Sequence, residues 1–231
     1  MTTVILVRHG RTTANTSGVL AGWTPGVRLD ETGVAQVRAL GERLAKVPLA
    51  AVVSSPLERC RQTADAVAER RDLEVQSDDR LGEARYGDWT GRTLKELVKE
   101  PLWKVVQQHP SAAVFPGPEG EGLAQTQARA VSAVREWNAK LGPGAVWLAC
   151  SHGDVIKAIL ADALGLHLDQ FQRIVADPAS VSVVTYTETR PFVVRVNDTG
   201  GGVADLLPPK KKSRSRKSAS SDAVPGGGAG T

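Results

Sequence analysis

The sequence predicts an α/β fold, a three-layer α/β/α sandwich around a mostly parallel central sheet. Three observations carry this expectation. Short β-branched runs alternate with stretches of helical periodicity along the chain, as in a parallel sheet with crossover helices. The first run, Val4-Ile5-Leu6-Val7, stops abruptly at Arg8, His9 and Gly10, as a buried strand does where it opens into a loop. The same order recurs later, where an apolar run at 145–149 leads through Cys150 to Ser151, His152 and Gly153. Ligands of such sheets gather beyond the carboxyl ends of the strands, so the residues just after each run are the candidates for chemistry.

Each element has its own signal. After strand 4–7 a polar loop runs to Asn15. Asp30, Glu31 and Thr32 supply a cap and an acidic first turn for a helix carrying Val34, Val37, Leu40, Leu44 and Val47, and Pro48 stops it. A short strand at 50–53 follows, and Ser54-Ser55-Pro56 opens a helix expected to reach about Arg70, its proline lying where a missing N–H does no harm. Residues 73–75 are a third strand. The glycines of Gly87, Trp89 and Gly91 predict a tightly folded surface loop after Glu83, and a short helix lies near 93–100. Residues 101–122 mix Trp, His, Pro and Gly without period and read either as a cover over the site or as a long connection. Helix 123–141, strand 145–149, helix 154–164 and a closing hairpin of 181–186 with 192–196 complete the pattern.

At 231 residues the chain is long enough for one sizeable core, and the expected division is a domain over 1–204 and a tail over 205–231. The net charge of +4 belongs to that tail: residues 205–231 hold six Lys/Arg against two Asp, whereas 1–204 hold 23 of each sign. With almost nothing apolar after Leu207, the basic and then Gly-rich tail is expected to be disordered and dispensable for activity and stability. Its Lys210–Lys217 basic run has no aromatic residue for stacking, so nucleic acid is not the expected partner. Cys60 and Cys150 lack the close spacing of metal or redox pairs, and no apolar run approaches the ~20 residues of a membrane span. A reduced, cytoplasmic protein without membrane association is expected, with a homodimer left open.

Taken singly, the polar residues have plain readings. His9 is a hydrogen-bonded histidine at a strand end, Arg8 a solvated charge, and Glu83 a surface carboxylate. Their neighbours shift the balance. Arg11, Thr12, Thr13 and Asn15 offer donors in the turn after Gly10, and Arg59 lies in the first turn of a helix whose amides attract anions. Arg61 fits a solvated helix face better. Two histidines in matching strand-His-Gly contexts, in a chain with only four, make coincidence less credible than for one. His109 and His167 lack that context. The sequence contains no P-loop, no Gly-x-Ser-x-Gly elbow and no His-x-x-x-His or Cys-x-x-Cys, so no metal or cofactor is expected.

Four motifs in order, Arg8-His9-Gly10 with Asn15, Ser55-Pro56-x-x-Arg59, Glu83 with Gly87-x-Trp89-x-Gly91, and Ser151-His152-Gly153, resemble the histidine phosphatase superfamily, which includes the phosphoglycerate mutase-like enzymes, over about residues 3–190. The resemblance implies that His9 is the nucleophile that becomes phosphohistidine. It implies that Arg8, Arg59 and His152 clamp the phosphoryl group, with Asn15, Gly22 and Gly153 in the binding site, and that Glu83 is the proton donor. A partly protonated His152 beside the two arginines would crowd positive charge in the empty clamp. Two departures bear on substrate. Ala21 precedes Gly22-Trp23 where relatives commonly carry a polar side chain, the following Thr24 to Leu29 is one residue longer than the usual spacing, and 100–122 lack the paired arginines of the mutases. The expectation is a metal-independent phosphomonoesterase acting on a small phosphorylated metabolite. The alternatives are a phosphomutase and a phospholigand-binding protein without turnover.

Overall fold

A computed structural model describes residues 1–69, 71–201 and 223–230. In chain order its elements are β1 (Thr2–Arg8), α1 (Thr13–Ser17), α2 (Glu31–Leu44), β2 (Ala51–Ser54), α3 (Glu58–Ala68) and β3 (Val75–Ser77), then α4 (Leu94–Leu97), α5 (Pro101–Gln108) and α6 (Leu123–Leu141). The chain continues with β4 (Val146–Ser151), α7 (Gly153–Ala163), β5 (Val181–Tyr186) and β6 (Pro191–Asp198). The six strands form one sheet in the order β3-β2-β4-β1-β5-β6. The first four are parallel, and β5 and β6 close one edge as an antiparallel hairpin.

Side-chain alternation divides the core between two layers. Val4 and Leu6 of β1, Val53 of β2 and Trp147 and Ala149 of β4 face α6 and α7. Ile5, Val7, Val52, Leu148 and Cys150 face the opposite way, onto α2 and α3. The strands read as continuous apolar runs because both faces are covered. Their register then decides where the polar residues go. Arg8 pairs with Ser151 and Ser54 with Cys150, so three strands end together and release His9, Ser55 and His152 at one edge.

Several boundaries differ from the sequence reading. The third strand begins at Val75, two residues later than expected, because Val75 is the partner of Val52. Helix α3 begins at Glu58, leaving Pro56 outside it, and ends at Ala68; Arg70 lies outside the described residues. Thr93 caps a shorter α4, in which the Glu96 carboxylate accepts from the Thr93 amide at 2.9 Å. The glycine-rich loop lies at the surface at Arg85, Asp88 and Gly91, but its other side is turned inward: Glu83, Ala84, Tyr86 and Trp89 are buried. Residues 101–122 cause this. They contain α5, and Phe115 packs edge-on against Tyr86 and Trp89 with ring centroids 4.9 and 5.5 Å apart.

The tail expectation divides in two. Residues 202–222 and 231 lie outside the described residues, but residues 223–230 are described and rest against the sheet edge where the strands end. The expectation of disorder for this last part is corrected. It rested on missing apolar surface, whereas this segment docks through backbone carbonyl and amide groups.

Candidate active site

Every candidate taken from the sequence reaches the carboxyl edge of the parallel strands. Arg8, the last residue of β1, is fully buried, and its Nη1 donates to the Ala176 carbonyl at 2.8 Å. Next to it His9 is 2% exposed, and its backbone amide donates to Ser151 O at 3.0 Å. Its Nδ1 lies 2.7 Å from the Gly10 carbonyl. A carbonyl only accepts, so Nδ1 carries the proton and Nε2 keeps a free lone pair. Burial, with the charges of Arg59 and Arg8, holds the ring well below its usual pKa, so this neutral tautomer persists.

Gly10 lets β1 pack closely on α2. A Cβ there would lie 2.8 Å from Val37 Cγ1 and 2.9 Å from the Gly33 carbonyl, so the close approach it permits is to α2 rather than to a ligand. Asn15 lines the cavity beside His9, with its Oδ1 held by the Thr12 amide and hydroxyl at 3.0 and 2.9 Å.

Arg59 extends from the first turn of α3 and is 2% exposed. Its Nη2 donates to Gly22 O at 2.8 Å and lies 3.3 Å from His152 Nδ1. An arginine can only donate, so His152 Nδ1 accepts and its Nε2 proton points to Ser55 Oγ at 2.8 Å. Burial and the nearby Arg59 push the His152 pKa well down. This corrects the expected partly protonated His152: the positive charge of the clamp is that of the two arginines. Arg8 Nε and Arg59 Nη1 are buried without a hydrogen-bond partner, an arrangement that costs free energy unless an acceptor meets them. Arg61, by contrast, turns away and donates to Val75 O at 2.9 Å.

Glu83 is 3% exposed, and its Oε1 accepts from the Ala84 amide at 3.0 Å. Its carboxyl is pushed up to about 7, first by burial and then by the charge of Asp154, against the pull of Arg59 and Arg8. Its position is fixed from behind, where the Glu83 carbonyl accepts from Trp23 Nε1 at 2.6 Å and from Arg129 Nη2 at 3.0 Å. Gly22 and Trp23 are thus a bridge, one residue holding Arg59 and the next holding the Glu83 loop. Gly153 is the first residue of α7, directly after His152.

Three residues to which the sequence assigns no role complete this site. Ser55 fixes His152, and Arg129 of α6 staples the loop before Glu83 through Arg80 O and Gly82 O at 2.6 and 2.9 Å. Asp154, 1% exposed, accepts from Tyr86 Oη at 3.0 Å and from Lys157 Nζ at 2.9 Å. The one available signal was the position of Asp154 directly after Ser-His-Gly. Ser55 opens the second motif, but its contact with His152 has no local signature, and Arg129 lies far from the motifs in sequence.

A neutral histidine with a free Nε2, two buried arginines and a carboxyl that titrates near neutrality suit transfer of an anionic group. Residues 4–199 match the family model of the histidine phosphatase superfamily (branch 1). The chain belongs to the histidine phosphatase superfamily. Within the superfamily it is 31% identical to phosphoserine phosphatase 1 of Hydrogenobacter thermophilus over 86% of this chain and 93% of that one. It is also 31% identical to 2,3-bisphosphoglycerate-dependent phosphoglycerate mutase 2 of Gloeobacter violaceus, over 75% and 81% of the two chains. Among solved structures, YhfR of Bacillus stearothermophilus superposes with a TM-score of 0.78 at 30% identity, covering 86% of this chain and 98% of that one. Phosphatases and mutases are thus both among the superfamily relatives. No helix among the described residues is long and apolar enough to cross a membrane.

Proposed function

We propose that the protein is a phosphomonoesterase that acts on a small phosphorylated metabolite through a phosphohistidine at His9 Nε2, without a metal ion. The observation that carries this reading is the His9 Nδ1–H···O=C Gly10 hydrogen bond, which leaves Nε2 as the nucleophilic atom. In the first step the Nε2 lone pair attacks phosphorus while the bond from phosphorus to the ester oxygen breaks, and the Glu83 proton goes to that leaving oxygen. The ring gains positive charge at this point, and Gly10 O stabilises it. Arg8 and Arg59 offset the charge that builds on the equatorial oxygens. In the second step Glu83 carboxylate takes a proton from water, the water oxygen attacks phosphorus, and the nitrogen–phosphorus bond breaks. Phosphate leaves, and neutral His9 and protonated Glu83 are restored.

A phosphatase is preferred to a phosphomutase because residues 100–122 contain no arginine to hold a second acidic group of a substrate. The experiment is a chromogenic phosphate ester assay in excess chelator, with alkaline quenching after a radiolabelled ester to trap labelled protein. Wild type is expected to turn over and to carry an acid-labile, base-stable phosphate, whereas His9→Ala loses both while keeping its melting temperature within a few degrees. Turnover by His9→Ala at the wild-type rate would rule the mechanism out.

A further inference from the structure

The site already has a ligand from its own chain. Residues 224–227, Val-Pro-Gly-Gly, form a tight turn in which the Gly227 amide donates to Val224 O at 2.8 Å and Gly226 has φ of +75°. Proline followed by a glycine at positive φ is the sequence of a type II turn. The turn is anchored before and after. Ala223 pairs through its amide and its carbonyl with the Gln107 side chain at 2.9 and 2.8 Å. The Gly226 amide donates to Asp154 Oδ2 at 2.7 Å, and the Gly228 and Gly227 carbonyls accept from Arg8 Nη1 and Nη2 at 2.7 and 3.2 Å. Pro225 is buried.

These carbonyl oxygens take the donors that an anionic ligand of Arg8 would need. Val224, Pro225, Gly226 and Gly227 line the cavity together with His9, Arg59 and Glu83, and the volume left among them is about 30 Å³. That is room for roughly one or two waters, not for a phosphoryl group and its ester carbon. We propose that residues 223–230 are an intramolecular ligand of the active site, whose backbone occupies the phosphoryl pocket and must leave before a phosphate ester binds. This rests on Arg8 and Arg59 being the anion clamp.

Glycine is what the docking requires. A Cβ on Gly227 would lie 2.8 Å from Arg8 Nη1 and 3.0 Å from its Cζ, whereas a Cβ on Gly228 would meet nothing within 4 Å. The 21 residues 202–222 that join the segment to the domain have a contour of roughly 70 Å, against a radius of gyration of about 16 Å for a domain of this size. Tethering of this kind gives an effective concentration on the order of 1 mM. A segment that bound with a dissociation constant of roughly 0.3 mM as a free peptide would then close the site about three-quarters of the time and weaken substrate binding about fourfold. A dianionic phosphoryl group makes stronger, charge-assisted bonds to the same arginine and displaces it.

The test uses the full chain in three forms: wild type, Gly227→Val and Gly228→Ala. Orthovanadate binding is measured by calorimetry, and KM and kcat are measured on a chromogenic ester. Gly227→Val is expected to lower both the vanadate dissociation constant and KM about fourfold with kcat unchanged, while Gly228→Ala matches wild type. A synthetic peptide of residues 222–231 at millimolar concentration is expected to raise the KM of Gly227→Val competitively. The proposal is overturned if Gly227→Val binds vanadate as wild type does, or if Gly228→Ala shifts the constant as far as Gly227→Val. Because vanadate affinity is read by binding, a protein that shows the shift but hydrolyses no ester overturns the phosphatase reading and leaves the tail as a ligand of the anion site.

Discussion

Glu83 is buried between two arginines and a second carboxylate, and its proton affinity follows from that position. As the acid it must be protonated when the ester bond breaks, so phosphoenzyme formation from an alkyl ester should fall as pH rises through about 7. An ester with a good leaving group should show little of that fall. Glu83→Gln should form phosphoenzyme 10²-fold or more slowly from the alkyl ester, as loss of a general acid typically does, and much less slowly from the activated one. Equal losses in rapid-quench measurements would remove Glu83 from the acid role. The same shift has a cost in stability. A carboxyl whose folded pKa lies above its unfolded value binds its proton more tightly when folded. Its contribution is therefore whole below about 4.5 and is lost between there and about 7. At pH 8 Glu83→Gln should be more stable than wild type by on the order of 3 kcal/mol, and at pH 4 the two should melt together. Sequence motifs located this residue. Its proton affinity came first from burial and then from the charge of Asp154, 71 positions away in the chain.

Helix α3 shows how one element separates two like charges. Arg59 points inward from its first turn, and Arg61, two residues on and about 200° further round the helix, ties α3 to β3 through Val75 O. Phosphate or vanadate should therefore raise the melting temperature by linkage, worth about 2.7 kcal/mol at a hundredfold excess over the dissociation constant. Sodium chloride at equal ionic strength should not reproduce the shift. Arg59→Met should lose most of it in differential scanning fluorimetry. Arg61→Met should keep it while losing about 1 kcal/mol of basal stability with its backbone hydrogen bond. A shift that followed Arg61 instead would mean that the clamp is misassigned. At this scale the strands and long helices were legible because each carries a period or a cap. The start of β3 was not, since Val75 is set by pairing with Val52 rather than by local composition.

The sheet unites the molecule, and its two thiols report on it. Cys60 and Cys150 lie on one face of the sheet and are 0% exposed, and burial raises the Cys150 thiol well above its usual range. Neither should react with a thiol reagent in the native protein. Both should become reactive in one cooperative step on denaturation, with phosphate delaying that step because it binds only the folded state. Rapid labelling of either thiol in buffer, followed by mass spectrometry, would show that the α2–α3 layer opens by itself.

By itself the sequence determined the α/β alternation, the strands that end in Arg8-His9 and Ser151-His152, and the family motifs whose residues meet at one sheet edge, because hydrophobic period and motif order are local properties of a chain. Tertiary structure alone decided that Tyr86 and Trp89 of the glycine-rich loop are buried, that Asp154 and Arg129 surround Glu83, and that burial and Arg59 push the His152 pKa down. These depend on burial and on distances between residues far apart in sequence. The last residues show the same division. Their composition forecasts no docking, since it holds almost nothing to bury, yet residues 223–230 dock because a backbone freed of side chains presents its carbonyls to a buried arginine.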